Sequence, residues 1–453
     1  MNEDTTGDFL PEIIQFLEDF TEEMISGNAA YFIGAGISKP SNLPDWSSLL
    51  APHANKIGIK DLAAANLPLV AQYVINEESG NRGPFINSIS KKLRRSFSPN
   101  AYHELIAKTN IKTIWTTNYD NLIEKAFASH IQDVKFSDDS VSRDLPNSQI
   151  EIIKMHGCIY NSHRDEIVIT QSDYEDFFIN RPALSQRLRL DLLQKSFLFM
   201  GYGYNDVNIG NIVSEARRLA GRNTRQHYMI CKDEPENSAF PFWCSNLRRY
   251  GIRVVRIQNF SQLTEILRIL SLKSRGKSIF VSGSHILDHG FEIEEISRQL
   301  AEIDDIVLND GQSTGPMRTA AKIFTEAIIS KQIELGTRLR FFPNPYASNK
   351  KFSNDPSLLS VLKNWRLPLL KATQIMIAFD GGMGTKAEIE VALEVGCIVI
   401  PFFKDSRSST WQFLEQPIVT DRLTYFDPTY VQKVKAQTAT SADVIALVKQ
   451  ILS

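Results

Sequence analysis

The sequence predicts an α/β protein built as two doubly wound, parallel-sheet domains, the first carrying a helical insertion. Three observations point there. Short apolar runs ending in glycine, asparagine or histidine alternate with amphipathic stretches of helical period, which is the pattern of strand–helix–strand units. The alternation halts near residue 270 and restarts at Ser278. Each half also carries a glycine turn directly after an apolar run, Gly34-Ala35-Gly36 in the first and Gly381-Gly382-Met383-Gly384 in the second. The expected division is a Rossmann-like domain over residues 1–270, a polar and basic linker over 271–277, and a second Rossmann-like domain over 278–453.

The elements follow in order. Ile13, Phe16, Leu17, Phe20 and Met24 recur at helical spacing, so Phe9 to Ile25 reads as a helix leading into a buried strand, Ala29 to Ile33. After the glycine turn, Asp45 reads as the N-cap of a helix opening at Trp46. Residues 60–110 carry helical patterning without a convincing strand and form the insertion. Strands are expected at Lys112–Thr116, Ile150–Met155, Ser196–Met200, His227–Ile230 and Arg253–Ile257. Helices are expected at Asn121–Phe127, over 171–195 and from Val207 onward. In the second half, strands are expected at Ser278–Val281, Ile306–Asn309, Arg338–Phe342, Ile375–Phe379 and Cys397–Ile400. Parallel sheets of this kind bind ligands beyond the carboxyl ends of their strands. Gly34, Asn118, His156 and Gly201 all fall at such ends, so one cleft is expected to collect them.

Bulk properties narrow the function classes. The net charge of -2 over 453 residues argues against a dominant nucleic-acid footprint. Cys158, Cys231, Cys244 and Cys397 stand far apart, with no C-x-x-C spacing, so no metal site is expected. The acidic start, Met1-Asn2-Glu3-Asp4, lacks a basic region and an apolar core, and no run is long enough to span a bilayer. The expectation is a cytoplasmic protein without a membrane partner.

The first glycine turn offers backbone N–H groups to a diphosphate, and Ser38 adds a hydroxyl. A Cβ at Gly34 or Gly36 would hold the backbone away from such a group. Downstream come Leu43-Pro44-Asp45-Trp46, then Thr116-Thr117-Asn118-Tyr119-Asp120, then Met155-His156-Gly157. A strand-end histidine in a dinucleotide cleft suits general-base work, because its pKa lies near neutrality. These pieces, in this order, resemble the sirtuin family and especially its bacterial defence branch, over roughly the first 270 residues. The resemblance implies that NAD+ is a substrate rather than a redox cofactor, so no cofactor is expected. It assigns catalysis to Asn118 and His156. Asn118 would orient the ribose or an attacking water, and His156 would deprotonate a ribose hydroxyl. It carries dinucleotide contacts onto Gly34, Ala35, Gly36, Ser38, Asp45, Asp120, Gly201 and Asn205. Asp120 would touch the nicotinamide amide or support its loop. Deacylating sirtuins carry two zinc-binding C-x-x-C pairs after the His-Gly, and this chain has neither. Water therefore becomes the expected acceptor and NAD+ glycohydrolysis the expected reaction.

In the second half, Gly381-Gly382-Met383-Gly384-Thr385 opens a helix and makes an anion cradle at its N-terminus, with Glu388 one turn further on. This resembles the SLOG group of nucleotide-binding domains, which includes phosphoribohydrolases that use this glutamate in catalysis. The resemblance carries nucleotide contacts onto Gly283, Ser284, Arg340, Gly382, Gly384, Thr385, Lys386 and Glu388. A sirtuin-like half followed by a SLOG-like half resembles the NADase effectors of Thoeris anti-phage systems. That implies a second domain that senses a cyclic ADP-ribose isomer made by a TIR-domain protein and switches on the first. It also implies a homotetramer or higher oligomer. Two other readings stay open at this point: a second domain that is itself a phosphoribohydrolase through Glu388, and a protein that binds NAD or ADP-ribose without catalysis.

Overall fold

Parallel strands sandwiched between helices are buried on both faces and so read as continuous apolar runs. Here β1 (Ala29–Ile33), β5 (Ser196–Met200), β11 (Ile375–Phe379) and β12 (Ile398–Phe402) are buried at every position. The computed structural model describes residues 9–62, 65–160, 167–202, 225–283, 290–312, 317–344 and 356–452. The chain separates into two units between Leu270 and Ser271.

The first unit also contains β2 (Thr113–Thr116), β3 (Gln132–Lys135), β4 (Ile150–Lys154), β6 (His227–Lys232) and β7 (Ile252–Ile257). All seven strands run parallel in the order β3-β4-β2-β1-β5-β6-β7. Strand order reverses at β1, which pairs with β2 on one side and β5 on the other. That reversal opens the crevice where doubly wound sheets take ligands. Side chains alternate across β1. Ala29, Tyr31 and Ile33 pack with Phe16 and Phe20 of helix Pro11–Ile25 and with Leu267 and Leu270 of helix Phe260–Lys273. Ala30 and Phe32 face the other layer, with Trp115, Phe197, Phe199 and Leu188 of helix Pro182–Gln194.

The helical insertion is present as helices Leu67–Glu77, Gly83–Leu93 and Ala101–Lys108. Val74, Phe85, Ile86 and Ile89 form a core of their own that also takes in Tyr119 and Ile159. Those two residues sit on the loops after β2 and β4, so the insertion packs on the loops that carry Asn118 and His156.

The second unit holds β8 (Ser278–Ser282), β9 (Val307–Asp310) and β10 (Leu339–Phe341) besides β11 and β12. Its parallel order, β10-β9-β8-β11-β12, reverses between β8 and β11. One core joins the sheet to Ile293, Ile296 and Leu300 and to Val444 and Val448 of the last helix, Ser441–Leu452.

The structure corrects several expectations. Strand β3 was not anticipated, because Gln132-Asp133-Val134-Lys135 is a short, polar edge strand with no apolar run. The stretch 171–195 is three helices, interrupted before Pro182, whose ring cannot continue a helix from the preceding turn. The polar, basic stretch 271–277 begins at the division between the two units. Its first residues end helix Phe260–Lys273, and Arg275 is buried, donating to the Thr373 carbonyl at 2.9 Å. Arg338 lies in a helical turn before β10 and donates to the carbonyls of Ile306 at 2.5 Å and Ile303 at 2.8 Å. The helix expected from Val207 lies outside the described residues.

Candidate active site

The two glycine turns at the reversal of strand order meet. Gly34 N–H donates to the Met200 carbonyl at 2.8 Å and Gly36 N–H to the Gly201 carbonyl at 2.9 Å. A Cβ at Gly34 would stand 2.7 Å from the Gly201 oxygen, and one at Gly36 would stand 2.8 Å from it. Gly201 itself has φ +80°, and a Cβ there would lie 2.6 Å from the Gly34 oxygen. The clearance expected for a pyrophosphate is thus taken up on this side by the neighbouring turn. Ala35 and Gly36 are exposed, so the outer face of the turn stays open.

Asn118 leaves β2 into this junction. Its N–H donates to Thr116 Oγ1 at 3.0 Å. Its Nδ2 donates to the Gly34 carbonyl at 3.3 Å and to Ser38 Oγ at 3.2 Å. A carbonyl can only accept, so the Gly34 contact sets which way the amide points. The Asn118 Oδ1 is left buried without a partner among the described residues. Ser38 Oγ donates to Asp120 Oδ2 at 3.1 Å and lies 3.5 Å from His103 Nε2. The Asn100 N–H donates to His103 Nδ1 at 3.3 Å, so the neutral ring carries its proton on Nε2, toward Ser38. Burial lowers the His103 pKa, with Asp120 opposing. Asp120 Oδ1 accepts from Leu122 N–H at 2.9 Å, starting helix Leu122–Ala126. The buried Lys154 ammonium donates to the Asp120 carbonyl and, at 2.8 Å, to Glu124. Asp120 therefore braces its loop. His103 was not foreseen: three residues after the N-cap Asn100, it reads as part of a helix start.

Asn118 and His156 follow neighbouring strand ends. Thr116 of β2 pairs with Lys154 of β4, and each reacting candidate stands two residues further along its chain. The His156 ring is buried edge-on to Tyr174 at 5.2 Å and Phe177 at 6.3 Å. Burial is the main cause that pushes its pKa down to about 3; Arg181 adds to this and Asp173 opposes it. The imidazole is therefore neutral at physiological pH, and burial makes it a weaker base than the near-neutral histidine expected from the sequence. Val168 connects the two loops: its N–H donates to the His156 carbonyl at 3.0 Å, and its own carbonyl accepts from Tyr119 Oη at 2.5 Å. Val168 also lines a cavity of about 760 Å³, together with Arg82, Phe136, Asp173, Phe177 and Arg181. Neither Asn118 nor His156 lines it.

The other expected contacts divide. Gly34, Ser38, Asn118, Asp120 and Gly201 are brought together as described. Asp45 is exposed and caps helix Trp46–Ala54, accepting from Ser48 N–H at 2.8 Å, and its hydrogen bonds to Ser48 hold its carboxyl below the usual range. Asn205 lies outside the described residues. The carboxylates of Asp133, Asp144 and Glu151 converge, but on the buried Lys135 ammonium, at 3.3, 2.8 and 3.4 Å. Lys135, with Arg187 on Glu151 at 2.5 Å, supplies the positive charge at this cluster.

The SIR2-like domain family model matches residues 112–255, a stretch that contains both Asn118 and His156. The chain is 33% identical over 327 residues to the NAD(+) hydrolase ThsA of Bacillus cereus (strain MSX-D12), covering 67% of this chain and 68% of that protein. The chain belongs to the NAD(+) hydrolase ThsA family. It is also 28% identical to the ThsA of Acinetobacter baumannii (strain 532279) over 85% of this chain and 86% of that one. That share exceeds what residues up to 270 supply, so the likeness to ThsA runs into the second domain. The Defense-associated sirtuin 2 of Bacillus subtilis matches at 25% identity over 54% of this chain and 24% of its own length.

In the second domain of this ThsA-family chain, the glycine turn follows β11 and helix Met383–Glu394 starts on Gly382. A Cβ on Gly382 or Gly384 would meet nothing within 4 Å, whereas one on Gly381 would stand 2.2 Å from Thr385 Oγ1. Gly381 is thus required by packing, and Gly382 and Gly384 leave open backbone at a helix N-terminus. Glu388 is buried, with Oε2 accepting from Ser282 Oγ at 2.5 Å and Oε1 2.7 Å from Arg366 Nε. Arg366 Nη1 donates to the carbonyls of Gly311 at 3.0 Å and Pro343 at 3.2 Å. This ion pair thereby ties the helix after β11 to the ends of β8, β9 and β10. Gly283 follows β8 at this crevice, and Lys386 is half-buried on the helix. Arg340 is exposed on β10, with β9 and β8 between it and β11, and is not brought to the crevice. Ser284 lies outside the described residues. Arg366 escaped the sequence reading because it sits inside helix Pro356–Lys371, with no glycine or strand end to mark it.

Proposed function

We propose that the chain hydrolyses NAD+ to nicotinamide and ADP-ribose, through Asn118 and His156, as an effector of anti-phage defence. The observation that carries this is the Asn118 amide. Its nitrogen is held by Gly34 and Ser38, and its buried oxygen has no hydrogen-bond partner among the described residues. Such an oxygen accepts from a ribose hydroxyl or an attacking water at the moment the sugar–base bond opens. Cleavage between C1′ and the nicotinamide nitrogen passes through an oxocarbenium-like state, with the electron pair leaving on nicotinamide. His156, kept neutral by burial, takes the proton from the ribose hydroxyl or the water. Kinship with proteins named NAD(+) hydrolase ThsA supports the substrate.

In this reading the second domain senses a cyclic ADP-ribose-type nucleotide supplied by a TIR-domain partner and switches the first domain on, in a homotetramer or larger assembly. The open backbone at Gly382 and Gly384 supports an anion-binding role. Both Glu388 oxygens are engaged by Ser282 and Arg366, which supports a fixed wall for recognition rather than an acid free to work on a substrate. The test is product analysis of the purified full chain with NAD+, with and without cyclic ADP-ribose isomers. Nicotinamide and ADP-ribose in equal amounts, released faster with one isomer, is the expected result. NAD+ left intact under every condition overturns the reading.

A further inference from the structure

Lysine is an unusual residue at a fully buried strand position, because an ammonium taken from water is costly unless its donors are met. Lys154 ends β4 and is fully buried. Side chains alternate along the strand. Ile150 and Ile152 enter the core that holds Ile123 of helix Leu122–Ala126, whereas Ile153 and Met155 enter the other one. Alternation puts Lys154 on the side of Ile150 and Ile152, where a third aliphatic chain would meet no desolvation cost.

The ammonium reaches across to the loop of the neighbouring strand. It donates to the Asp120 carbonyl and, at 2.8 Å, to Glu124 Oε1. Asp120 stands two residues after Asn118, and Lys154 stands two residues before His156. The backbone bond from Met155 N–H to the Thr116 carbonyl, at 3.0 Å, joins the two strands where their loops begin. The other side-chain bonds of the Asn118 loop run elsewhere. Asn118 Nδ2 goes to Gly34 and Ser38, the Asp120 carboxylate to Ser38, Thr117 to Tyr202 and Tyr119 to the Val168 carbonyl. Among the described residues, Lys154 is thus the side chain that ties the Asn118 loop to β4. Burial works against its charge, but Glu124 beside it holds the pKa above the ordinary lysine value.

We propose that Lys154 is a positioning residue for the NAD+-cleaving reaction. Its ammonium fixes the spacing between the loop that carries Asn118 and the strand end that carries His156, so that both act on one bound ribose. Glu124 keeps the ammonium charged and does not itself set that spacing. The inference rests on the NAD+-cleaving reading above. A fixed spacing matters because a misplacement of about 1 Å at a reacting group can cost roughly a hundredfold in rate.

The experiment measures kcat and KM for nicotinamide release from NAD+, and the melting temperature, in the full chain and three variants of it. Each protein is assayed below its own melting transition, under the conditions that give most nicotinamide release. Lys154→Met removes the tether and leaves Glu124 without its cation. Lys154→Met combined with Glu124→Leu removes both charges and so spares the fold a stranded carboxylate. Glu124→Gln keeps an acceptor for the ammonium and leaves its bond to the Asp120 carbonyl in place. In both proteins without Lys154, kcat should fall by about tenfold or more while KM stays within about twofold. The double variant should melt higher than Lys154→Met without regaining kcat. Glu124→Gln should keep kcat within about twofold of the parent even where it melts lower. A lysine that serves only the fold gives a different split, with kcat tracking the melting temperature in all three variants, and that result overturns the positioning role. A parental kcat in a folded protein without Lys154 also overturns it, as does failure of every Lys154 variant to fold. In each of those cases the parent still releases nicotinamide and the reaction assignment stands. A parent that releases none overturns the NAD+-cleaving reading and this inference with it.

Discussion

Replacing Ser38 with alanine probes the network that aims the Asn118 amide. The Ser38 hydroxyl is buried and has three neighbours: Asn118 Nδ2 at 3.2 Å, Asp120 Oδ2 at 3.1 Å and His103 Nε2 at 3.5 Å. Alanine leaves a carboxylate oxygen of Asp120 buried without its donor, which costs about 1–3 kcal/mol. At roughly 2–4 °C per kcal/mol for a domain of this size, the melting temperature should fall by several degrees. The catalytic effect is separate. Asn118 keeps its bond to the Gly34 carbonyl but loses the second anchor, whose net worth is about 0.5–1.5 kcal/mol. If that energy is what keeps the amide oxygen facing the reacting atoms, kcat should drop by about 2- to 13-fold, with KM little changed. Steady-state nicotinamide release measured by chromatography, below the melting temperature of the variant, reads both constants. A Ser38→Ala protein with the parental kcat would refute the claim that this serine orients the amide.

Three further outcomes are expected. Because burial depresses the His156 pKa to about 3, kcat/KM should show no acid limb near pH 6.5, the ordinary value for a histidine. The unfolded chain takes up that proton near pH 6.5 and the folded chain only near pH 3, so stability should fall as pH drops below 6.5, by up to about 1.4 kcal/mol per unit. Urea midpoints at pH 7 and 5 measure this, and a His156→Gln protein should show a shallower fall; equal slopes in the two proteins contradict the assignment. Arg366→Met should destabilise the second domain by about 3–5 kcal/mol, because it leaves the buried Glu388 carboxylate without its cation. Adding Glu388→Met should recover much of that loss, and a double variant no better than the single one counts against the ion pair. Gly201→Ala forces a side chain into a left-handed conformation and against the Gly34 oxygen, so it should unfold far more readily than Gly58→Ala. Gly58 shares the positive φ, at +87°, but has open space around it. Comparable melting temperatures for the two variants would show that the meeting of the glycine turns is unimportant.

What was legible in the sequence follows from how each signal arises. Buried parallel strands announce themselves as apolar runs, so β1, β5, β11 and β12 were readable, and both sheets are parallel as expected. Edge strands need no such run, and β3 passed unseen. Strand-end residues with a turn after them, such as Asn118 and His156, stand out because chemistry and position coincide. Register then makes their two strands neighbours, something spacing alone cannot state. His103, in the first turn of its helix, and Arg366, inside its own, reach across 65 and 22 residues of chain to Ser38 and Glu388 respectively, and no local pattern records such a reach. Gly34 and Gly36 were flagged as clearance for a pyrophosphate, but what stands against them on their inner side is Gly201, a partner far away in sequence. The burial of Arg275 against the Thr373 carbonyl has no local mark in the polar stretch 271–277.

The central claim is that one asparagine and one histidine, on neighbouring strand ends, break the bond between nicotinamide and ribose. The most direct measurement is the rate of nicotinamide release from NAD+ by the parent protein, Asn118→Ala and His156→Ala, each checked for native circular dichroism and an intact melting transition. The account predicts a parent that turns NAD+ over and two folded variants that retain less than about 1% of its rate, the hundredfold or greater loss typical of removing a general base. A folded variant at either position that releases nicotinamide at the parental rate would contradict it.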